Sequence, residues 1–189
     1  MAAASRARAL THPKETGPMT MMSPLRAALL ATALTCAAAP ARAADAAPAF
    51  AFSTDPAVSA GQHAAYDVVH RYEGLLNAGD TAGILALYAP DSVAEWNDKP
   101  TFASLDQKKG AYDALFRVAK FNTVFGYAGI DVVGDTAVVR TFHHRNATVM
   151  EGGKEVVDLN REVFVLHRID GAWKISLYIF NTDPVQGEG

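Results

Sequence analysis

Glu162 is a candidate for acid–base chemistry. It shares one face of a predicted strand with Phe164 and Leu166, because residues two apart on a strand point the same way. A carboxylate among such apolar neighbours is either paired with a cation, here Arg140 or Arg161, or catalytic with a raised pKa. Pairing is the favoured interpretation, and the catalytic alternative stays open.

The adjacent residues His143 and His144 raise the question of a metal site. Neighbours on a strand point to opposite faces, so the two rings cannot bind one ion, and no other His or Cys has a spacing that would complete a ligand set. The sequence therefore predicts no metal site, and at most one of the pair enters a pocket. We keep His144 as the candidate, because a histidine in an apolar cleft titrates near neutrality and can act as an acid or a base. The alternative is a polar outer face beside Arg145.

Phosphate-binding and serine-hydrolase motifs are absent from the sequence. It contains neither a Gly-rich loop of the kind that cradles nucleotide phosphates nor a Gly-x-Ser-x-Gly turn. Nothing in the sequence therefore implies a cofactor.

Three helices are expected to position these residues. From Pro56 onwards apolar residues recur on one helical face, and Gly79 suits the left-handed position that ends such a helix. Asp80 can cap a second helix, which Pro90 stops. The segment Ser104-Leu105-Asp106-Gln107 has the form of a capping box and opens a third helix.

The rest of the chain has the two-residue period of strands. A brief strand is predicted at 93–96, and four long strands at 123–133, 136–150, 155–169 and 172–181, joined by Gly-containing turns. Helices followed by an antiparallel meander predict an α+β fold. The last two strands are apolar on both faces, so we expect helices to cover one side of the sheet and a second copy of the chain, in a homodimer, to cover the other.

The N-terminal residues have the composition of an export signal. A basic region ends at Arg26, residues 27–39 are apolar, and Ala41-Arg42-Ala43 has small residues at the positions that a signal peptidase reads. Residues 1–43 are therefore predicted to be removed, and residues 1–18 are compatible with an over-long reading frame. The apolar run is too short to span a bilayer, so we expect a periplasmic or secreted protein with no membrane attachment after cleavage.

Removal of residues 1–43 makes the chain acidic. That segment holds five of the 17 Lys and Arg residues and one of the 20 Asp and Glu residues, which leaves 12 and 19 and a formal net charge of −7. Nucleic-acid binding requires clustered basic charge, so nucleic acid is excluded as a partner. Cys36, the only cysteine, lies within the signal, so the mature chain has no disulfide.

Two segments of the chain carry a family pattern. The first is Asn77-Ala78-Gly79-Asp80 followed by Leu87-Tyr88-Ala89-Pro90-Asp91, and the second is Gly171-Ala172-Trp173-Lys174-Ile175 followed by Tyr178-Ile179-Phe180-Asn181. Together they resemble the SnoaL-like, NTF2-like superfamily, which includes the ketosteroid isomerases, and the second resembles the exported DUF4440 subgroup. The resemblance implies a homodimer and an NTF2-like cone, in which three helices pack on a strongly curved antiparallel sheet around a pocket. The domain is accordingly predicted at 55–184, between a flexible lead-in at 44–54 and a tail at 185–189.

The resemblance to ketosteroid isomerases assigns three positions. Tyr72 occupies the place of the tyrosine that donates a hydrogen bond to the enolate oxygen. The place of the catalytic base falls on Trp96, and Glu95 beside it points to the opposite strand face. The place of the second acid falls at or near Val165, which cannot donate a hydrogen bond. One of three chemical groups is retained, so efficient ketosteroid isomerase activity is not expected.

These assignments support two hypotheses. In the first, an apolar pocket binds a small hydrophobic molecule without chemistry, and in the second, an isomerase, cyclase or hydratase uses Tyr72 with Glu162 or His144. The missing base favours the first. If side chains such as Trp96 fill the cone, the domain serves dimerisation alone, and Tyr72 is then a core residue. The expected pocket residues are Tyr72, Trp96, Tyr112 and Phe116.

Overall fold

The structure, a computed structural model, describes residues 50–144 and 147–183. In this part of the chain three helices pack on mostly antiparallel sheet, so the predicted α+β class is confirmed. The helices are α1 (Pro56–Ala78), α2 (Thr81–Leu87) and α3 (Leu105–Val118). The strands are β1 (Tyr88–Glu95), β2 (Ala119–Asn122), β3 (Phe125–Val133), β4 (Thr136–His143), β5 (Thr148–Glu151), β6 (Lys154–Val157), β7 (Asn160–Ile169) and β8 (Ala172–Thr182).

The helix ends follow the local capping signals. Gly79 ends α1 in the left-handed region, with φ 67°, where a side chain would be strained. The Gly83 N–H donates to Asp80 Oδ1 at 2.9 Å at the start of α2. Both hydrogen bonds of the capping box between Ser104 and Gln107 are present at the start of α3. These three predictions are confirmed.

The end of α2 differs from the prediction. Its last residue is Leu87, and Pro90, the expected stop signal, lies within β1. The chain leaves the helix at Tyr88 because that residue pairs with Ile175 in β8, parallel to β1. Long-range pairing therefore decides this boundary, and β1 is longer than the predicted strand at 93–96.

The strands form two sheets instead of one four-stranded meander. The larger sheet has the order β1-β8-β7-β4-β3, and the smaller has the order β2-β5-β6. The predicted strands 136–150 and 155–169 are each interrupted, between β4 and β5 and between β6 and β7. Backbone hydrogen bonds outside the strands hold the chain at these interruptions. The Asp158 N–H donates to the Ala147 carbonyl at 3.0 Å, and the His144 N–H donates to the Val124 carbonyl at 2.7 Å. The hairpin of β5 and β6 therefore leaves the larger sheet and pairs with β2.

Helix α1 packs on one face of the larger sheet, which we call the inner face. Tyr72 of α1 lies with its ring centroid 5.2 Å from that of Phe164 in β7 and 5.2 Å from that of Tyr178 in β8. Burying each such aromatic ring stabilises the fold by about 1.5–3 kcal/mol. Where α1 approaches β3, a Cβ on Gly61 would lie 3.0 Å from Val132 Cγ1, so this close contact favours glycine. The inner face thereby holds Tyr72 at a fixed place beside β7 and β8.

The predicted lead-in is ordered in its described part. Phe52 stacks on His63 of α1 at 3.7 Å between ring centroids, and the Ser53 N–H donates to Gln62 Oε1 at 2.7 Å. This packing was missed by the sequence analysis. The predicted signal at 1–43, the rest of the lead-in and the tail at 185–189 lie outside the described residues. Within residues 50–144 and 147–183, no helix is both long and apolar enough to cross a bilayer.

Candidate functional site

A cavity of about 660 Å³ is bounded by α3 and by strands of both sheets. This volume is typical of sites for small organic ligands. Three residues that the sequence analysis singled out line it, namely Tyr72 of α1, Tyr112 of α3 and Glu162 of β7. The cone is therefore not completely filled by side chains. Further lining residues that carry the argument below are Trp96, Phe121, His143, Asp158, Tyr178 and Phe180.

Glu162 is buried and holds three hydrogen-bond donors. The Tyr178 hydroxyl donates to Oε1 at 3.0 Å, His143 Nε2 lies 3.3 Å from the same oxygen, and the Thr141 hydroxyl donates to Oε2 at 2.8 Å. All three contacts place a donor against a carboxyl oxygen, so together they fix the orientation of the carboxyl group. The position of Glu162 in the cavity wall is thus fixed by charge and by hydrogen bonds.

The partner of Glu162 differs from the predicted one. Arg161 lies on the exposed face, where its Nε donates to Asn181 Oδ1 at 3.2 Å, and Arg140 is also exposed. Strand alternation places both arginines opposite to Glu162, so neither can reach its carboxylate. Pairing with a cation, the favoured interpretation, does occur, but the cation is His143.

His143 joins two carboxyl groups. Its Nδ1 lies 2.7 Å from the Asp158 carbonyl oxygen and 3.2 Å from Asp158 Oδ2, and its Nε2 faces Glu162. The contact between His143 Nδ1 and Asp158 Oδ2 is an ion pair without good hydrogen-bond alignment. Burial lowers the pKa of His143, but the hydrogen bonds and charges of Asp158 and Glu162 outweigh that effect and raise the pKa to about 10. His143 is therefore an imidazolium at neutral pH, an acid rather than a base.

Hydroxyl groups of three tyrosines form a cluster beside this ion pair. The Tyr112 hydroxyl lies 2.9 Å from that of Tyr72 and 3.0 Å from that of Tyr88. Burial raises the pKa of all three phenols well above its usual value, and the nearby charge of Glu162 adds to this effect. The cluster is neutral at ordinary pH, so it offers hydroxyl groups and no phenolate.

Trp96 forms a wall of the cavity without closing it. Its ring is nearly perpendicular to Tyr112, at 4.8 Å and 71°, and to Phe102, at 5.1 Å and 73°. The indole N–H is buried and has no hydrogen-bond partner among the described residues. Glu95 is exposed, as expected for the residue that points to the other side of β1. The predicted base position therefore contributes an aromatic surface.

Two predicted site residues lie elsewhere. Phe116 does not line the cavity and instead packs beside Tyr112, at 5.9 Å between ring centroids, and Phe121. Of the histidine pair, His143 lines the cavity and His144, which we had favoured, does not. The alternation along β4 is the reason, because the buried inner positions are odd-numbered and end at His143.

Among the lining residues that the sequence analysis did not select, three belong to the polar network around Glu162, namely His143, Asp158 and Tyr178. A strict period of two does not single out His143 or Tyr178. Val138 and Val139 make both faces of β4 apolar, and the buried positions of β8 change from odd to even numbers between Ile175 and Tyr178, beside the register shift in its pairing with β7. Asp158 follows β6 in an irregular segment, where no period exists. Among the described residues no three His, Cys, Asp or Glu side chains are placed to hold a metal ion.

The arrangement of an inner helix, a mostly antiparallel sheet and a cavity beside them defines the NTF2-like class of folds. The family model of the SnoaL-like domain matches residues 68–176, which is more than half of the chain. The chain therefore belongs to the SnoaL-like family. The finer resemblance to the DUF4440 subgroup stays a prediction.

Solved structures share this fold at low sequence identity. A ketosteroid isomerase-like protein from Erwinia carotovora atroseptica is 19% identical, with 64% of this chain and 95% of that chain covered and a TM-score of 0.60. A proposed dehydratase of the NTF2-like family from Streptomyces avermitilis is 14% identical, with 66% and 96% covered and a TM-score of 0.58. An NTF2-like protein of unknown function from Pseudomonas putida is 19% identical, with 69% and 89% covered and a TM-score of 0.54. No curated protein matches the chain.

Proposed function

We propose that this protein binds a small hydrophobic molecule in the cavity and that it lacks efficient ketosteroid isomerase activity. The observation that carries the proposal is a cavity of about 660 Å³ with aromatic walls and a cluster of hydroxyl groups on one side. Apolar walls supply affinity by burial, and a few polar groups orient the ligand. Membership of the SnoaL-like family is consistent with ligand binding and with isomerase- or dehydratase-type chemistry.

The groups in the cavity favour binding over isomerisation. Trp96 stands at the position of the base and Val165 at or near that of the second acid. Val165 is half-buried between the fully buried Phe164 and Leu166, so it belongs to the face of the sheet opposite the cavity. Glu162 is already hydrogen-bonded to three donors, so most of its lone-pair positions are occupied. Tyr72 thus has no free carboxylate as a catalytic partner.

A phenolic probe tests this proposal. We expect 2-naphthol to bind, and Tyr72→Phe to weaken its binding by about 0.5–1.5 kcal/mol, because one hydrogen bond to the ligand is lost. Isothermal titration calorimetry on both proteins measures the difference. The matched control is Tyr66→Phe, which removes a hydroxyl from the same helix at a residue that does not line the cavity. Absence of naphthol binding to the native protein would refute the pocket proposal.

Acid–base catalysis by a small-molecule isomerase, cyclase or hydratase is the second candidate. It is favoured by the ion pair of His143 and Glu162 in the cavity wall, since strongly perturbed ionisable groups cluster at active sites. His143 takes the place that the sequence analysis gave to His144, and it would act as a proton donor. Turnover of a hydroxylated naphthyl or decalin compound that His143→Gln abolishes would favour this candidate over simple binding.

We also propose a homodimer that uses the face of the larger sheet opposite α1. Its central positions are aliphatic, and they are half-buried in the single chain. Sedimentation equilibrium is expected to give twice the mass of one chain, and Leu177→Glu to give a monomer, because a buried unpaired charge is costly at an interface. Val133→Glu, at an exposed hairpin end, is the control. A native monomer at all concentrations would contradict the proposal. The aliphatic positions are Val138, Val163, Val165, Leu177 and Ile179.

A further inference from the structure

Carboxylates outnumber cations in the buried part of the cavity wall. Glu162 and Asp158 flank the single ring of His143. Lys99 and Glu151 also line the cavity, but both are exposed and their charges are opposite. The charged side chains that line the cavity within residues 50–144 and 147–183 therefore leave an excess of negative charge.

This excess does not depend on the protonation state of His143. With an imidazolium, the group of Asp158, His143 and Glu162 carries one net negative charge, and with a neutral ring it carries two. Glu162 only accepts hydrogen bonds, and three of its roughly four lone-pair positions are occupied. The remaining lone-pair position is on Oε2.

Lys108, the other buried cation in the described part of the chain, does not cancel this charge. Its Nζ donates to the Ser92 carbonyl at 2.6 Å and lies 5.4 Å from the centroid of the Tyr88 ring. It is not among the residues that line the cavity, and burial lowers its pKa. Glu73, which is half-buried, accepts a hydrogen bond from the Phe125 N–H at 2.6 Å and adds a further carboxyl group behind the wall.

The aromatic walls are also suited to a cation. Aromatic faces attract cations through the ring quadrupole. The rings of Trp96 and Tyr112 meet at 71° and those of Trp96 and Phe102 at 73°, so they form a corner with surfaces in two directions. Phe121 and Phe180 line the same cavity. The excess of carboxylates and the corner of aromatic rings are independent features, and both favour a positive charge on the ligand.

We propose that the cavity selects a hydrophobic amine, with its apolar body against Trp96 and Tyr112 and its protonated nitrogen directed to Glu162 Oε2. This inference rests on the proposed binding function and names its ligand class. An anion of the same size is rejected, because its charge would face an excess of carboxylates in a poorly solvated space.

Three probes with one ring system test the charge preference without any mutation. They are 2-naphthol, which is neutral at pH 7, 2-naphthylmethylamine, which is a cation, and 2-naphthoate, which is an anion. Calorimetric titration of the native protein is expected to give an amine affinity about tenfold above that of naphthol and a naphthoate affinity about tenfold below it.

Charge-neutral variants locate the origin of the preference. Glu162→Gln is expected to reduce the ratio of amine to naphthol affinity about tenfold, because the charge-assisted hydrogen bond is lost. Glu155→Gln makes the same change at an exposed residue of β6 outside the cavity and is expected to keep the ratio. Because the measured quantity is a ratio, a uniform loss of folded protein leaves it unchanged.

The outcomes separate this inference from the proposed function. If none of the three probes binds, the binding proposal itself fails. If naphthol binds and the amine binds no more tightly, the pocket is supported and amine selection is refuted. Equal loss of the amine preference in Glu162→Gln and Glu155→Gln would show that overall charge, and not the cavity, sets the preference, and would also overturn it.

Discussion

Glu162→Gln is expected to lower the free energy of unfolding by about 3 kcal/mol near neutral pH. The reason is that His143 and Glu162 are both almost completely buried, with the His143 Nε2 and Glu162 Oε1 atoms 3.3 Å apart. Removing one member of a buried ion pair leaves the other charge poorly compensated. Urea-induced unfolding of the native and variant proteins, followed by circular dichroism, measures the difference.

The pH dependence identifies the ion pair as the cause. The hydrogen bonds and charges around His143 raise its pKa from 6.5 to about 10 against the effect of burial. A group with a raised pKa contributes its full stability below the pKa of the unfolded state and loses it as the pH rises through the folded pKa. Between pH 6.5 and about 10, the native protein should therefore lose at most about 1.4 kcal/mol per pH unit through His143. His143→Gln should remove this slope.

Thr141→Val is the matched control for the ion pair. It removes one hydrogen bond from an uncharged donor to the same carboxylate and is expected to cost about 1.5–3 kcal/mol with no change in the pH slope. The double variant His143→Gln with Glu162→Gln should be less destabilised than the sum of the two single variants. A cost of Glu162→Gln that is the same at pH 6 and pH 10 would contradict an ion pair.

The second large effect concerns ketosteroid isomerisation. With a β,γ-unsaturated 3-oxo steroid, we expect kcat/KM to lie about two to four powers of ten below that of an enzyme with a positioned base. Tyr72 could still donate to the oxygen, but Trp96 cannot accept the proton, and Val165 lies on the other face of the sheet. The rate of isomerisation is measured from the increase in absorbance as the conjugated enone forms.

Tyr72→Phe provides the control for this rate. Any slow turnover by the native protein that arises outside the cavity should be unchanged in Tyr72→Phe. Rapid turnover by the native protein that Tyr72→Phe reduces would contradict the expected inactivity. Such a result would make Glu162 the base, because it is the buried carboxylate on the side of the cavity that Tyr72 and Tyr178 share.

The local sequence determined the ends of the helices and the class of the fold. Gly79, Asp80 and the Ser104 capping box act through hydrogen bonds within a few residues, so their effect is readable without any tertiary contact. The same holds for the turns that precede β4 and β8. The resemblance to ketosteroid isomerases then added the positions of Tyr72 and Trp96, and both residues line the cavity.

Only the tertiary structure decided which charged groups meet in the cavity. Val138 and Val139 are both apolar, so the sequence left the inner face of β4 undecided, and His144 was chosen over His143. The pairing of Thr141 with Glu162 across β4 and β7 fixes that face and brings His143 to the carboxylate. Asp158 joins them because the strands are interrupted beside it, where its N–H bonds to the Ala147 carbonyl. Strand register and interruption depend on partners far along the chain, which a local period does not contain.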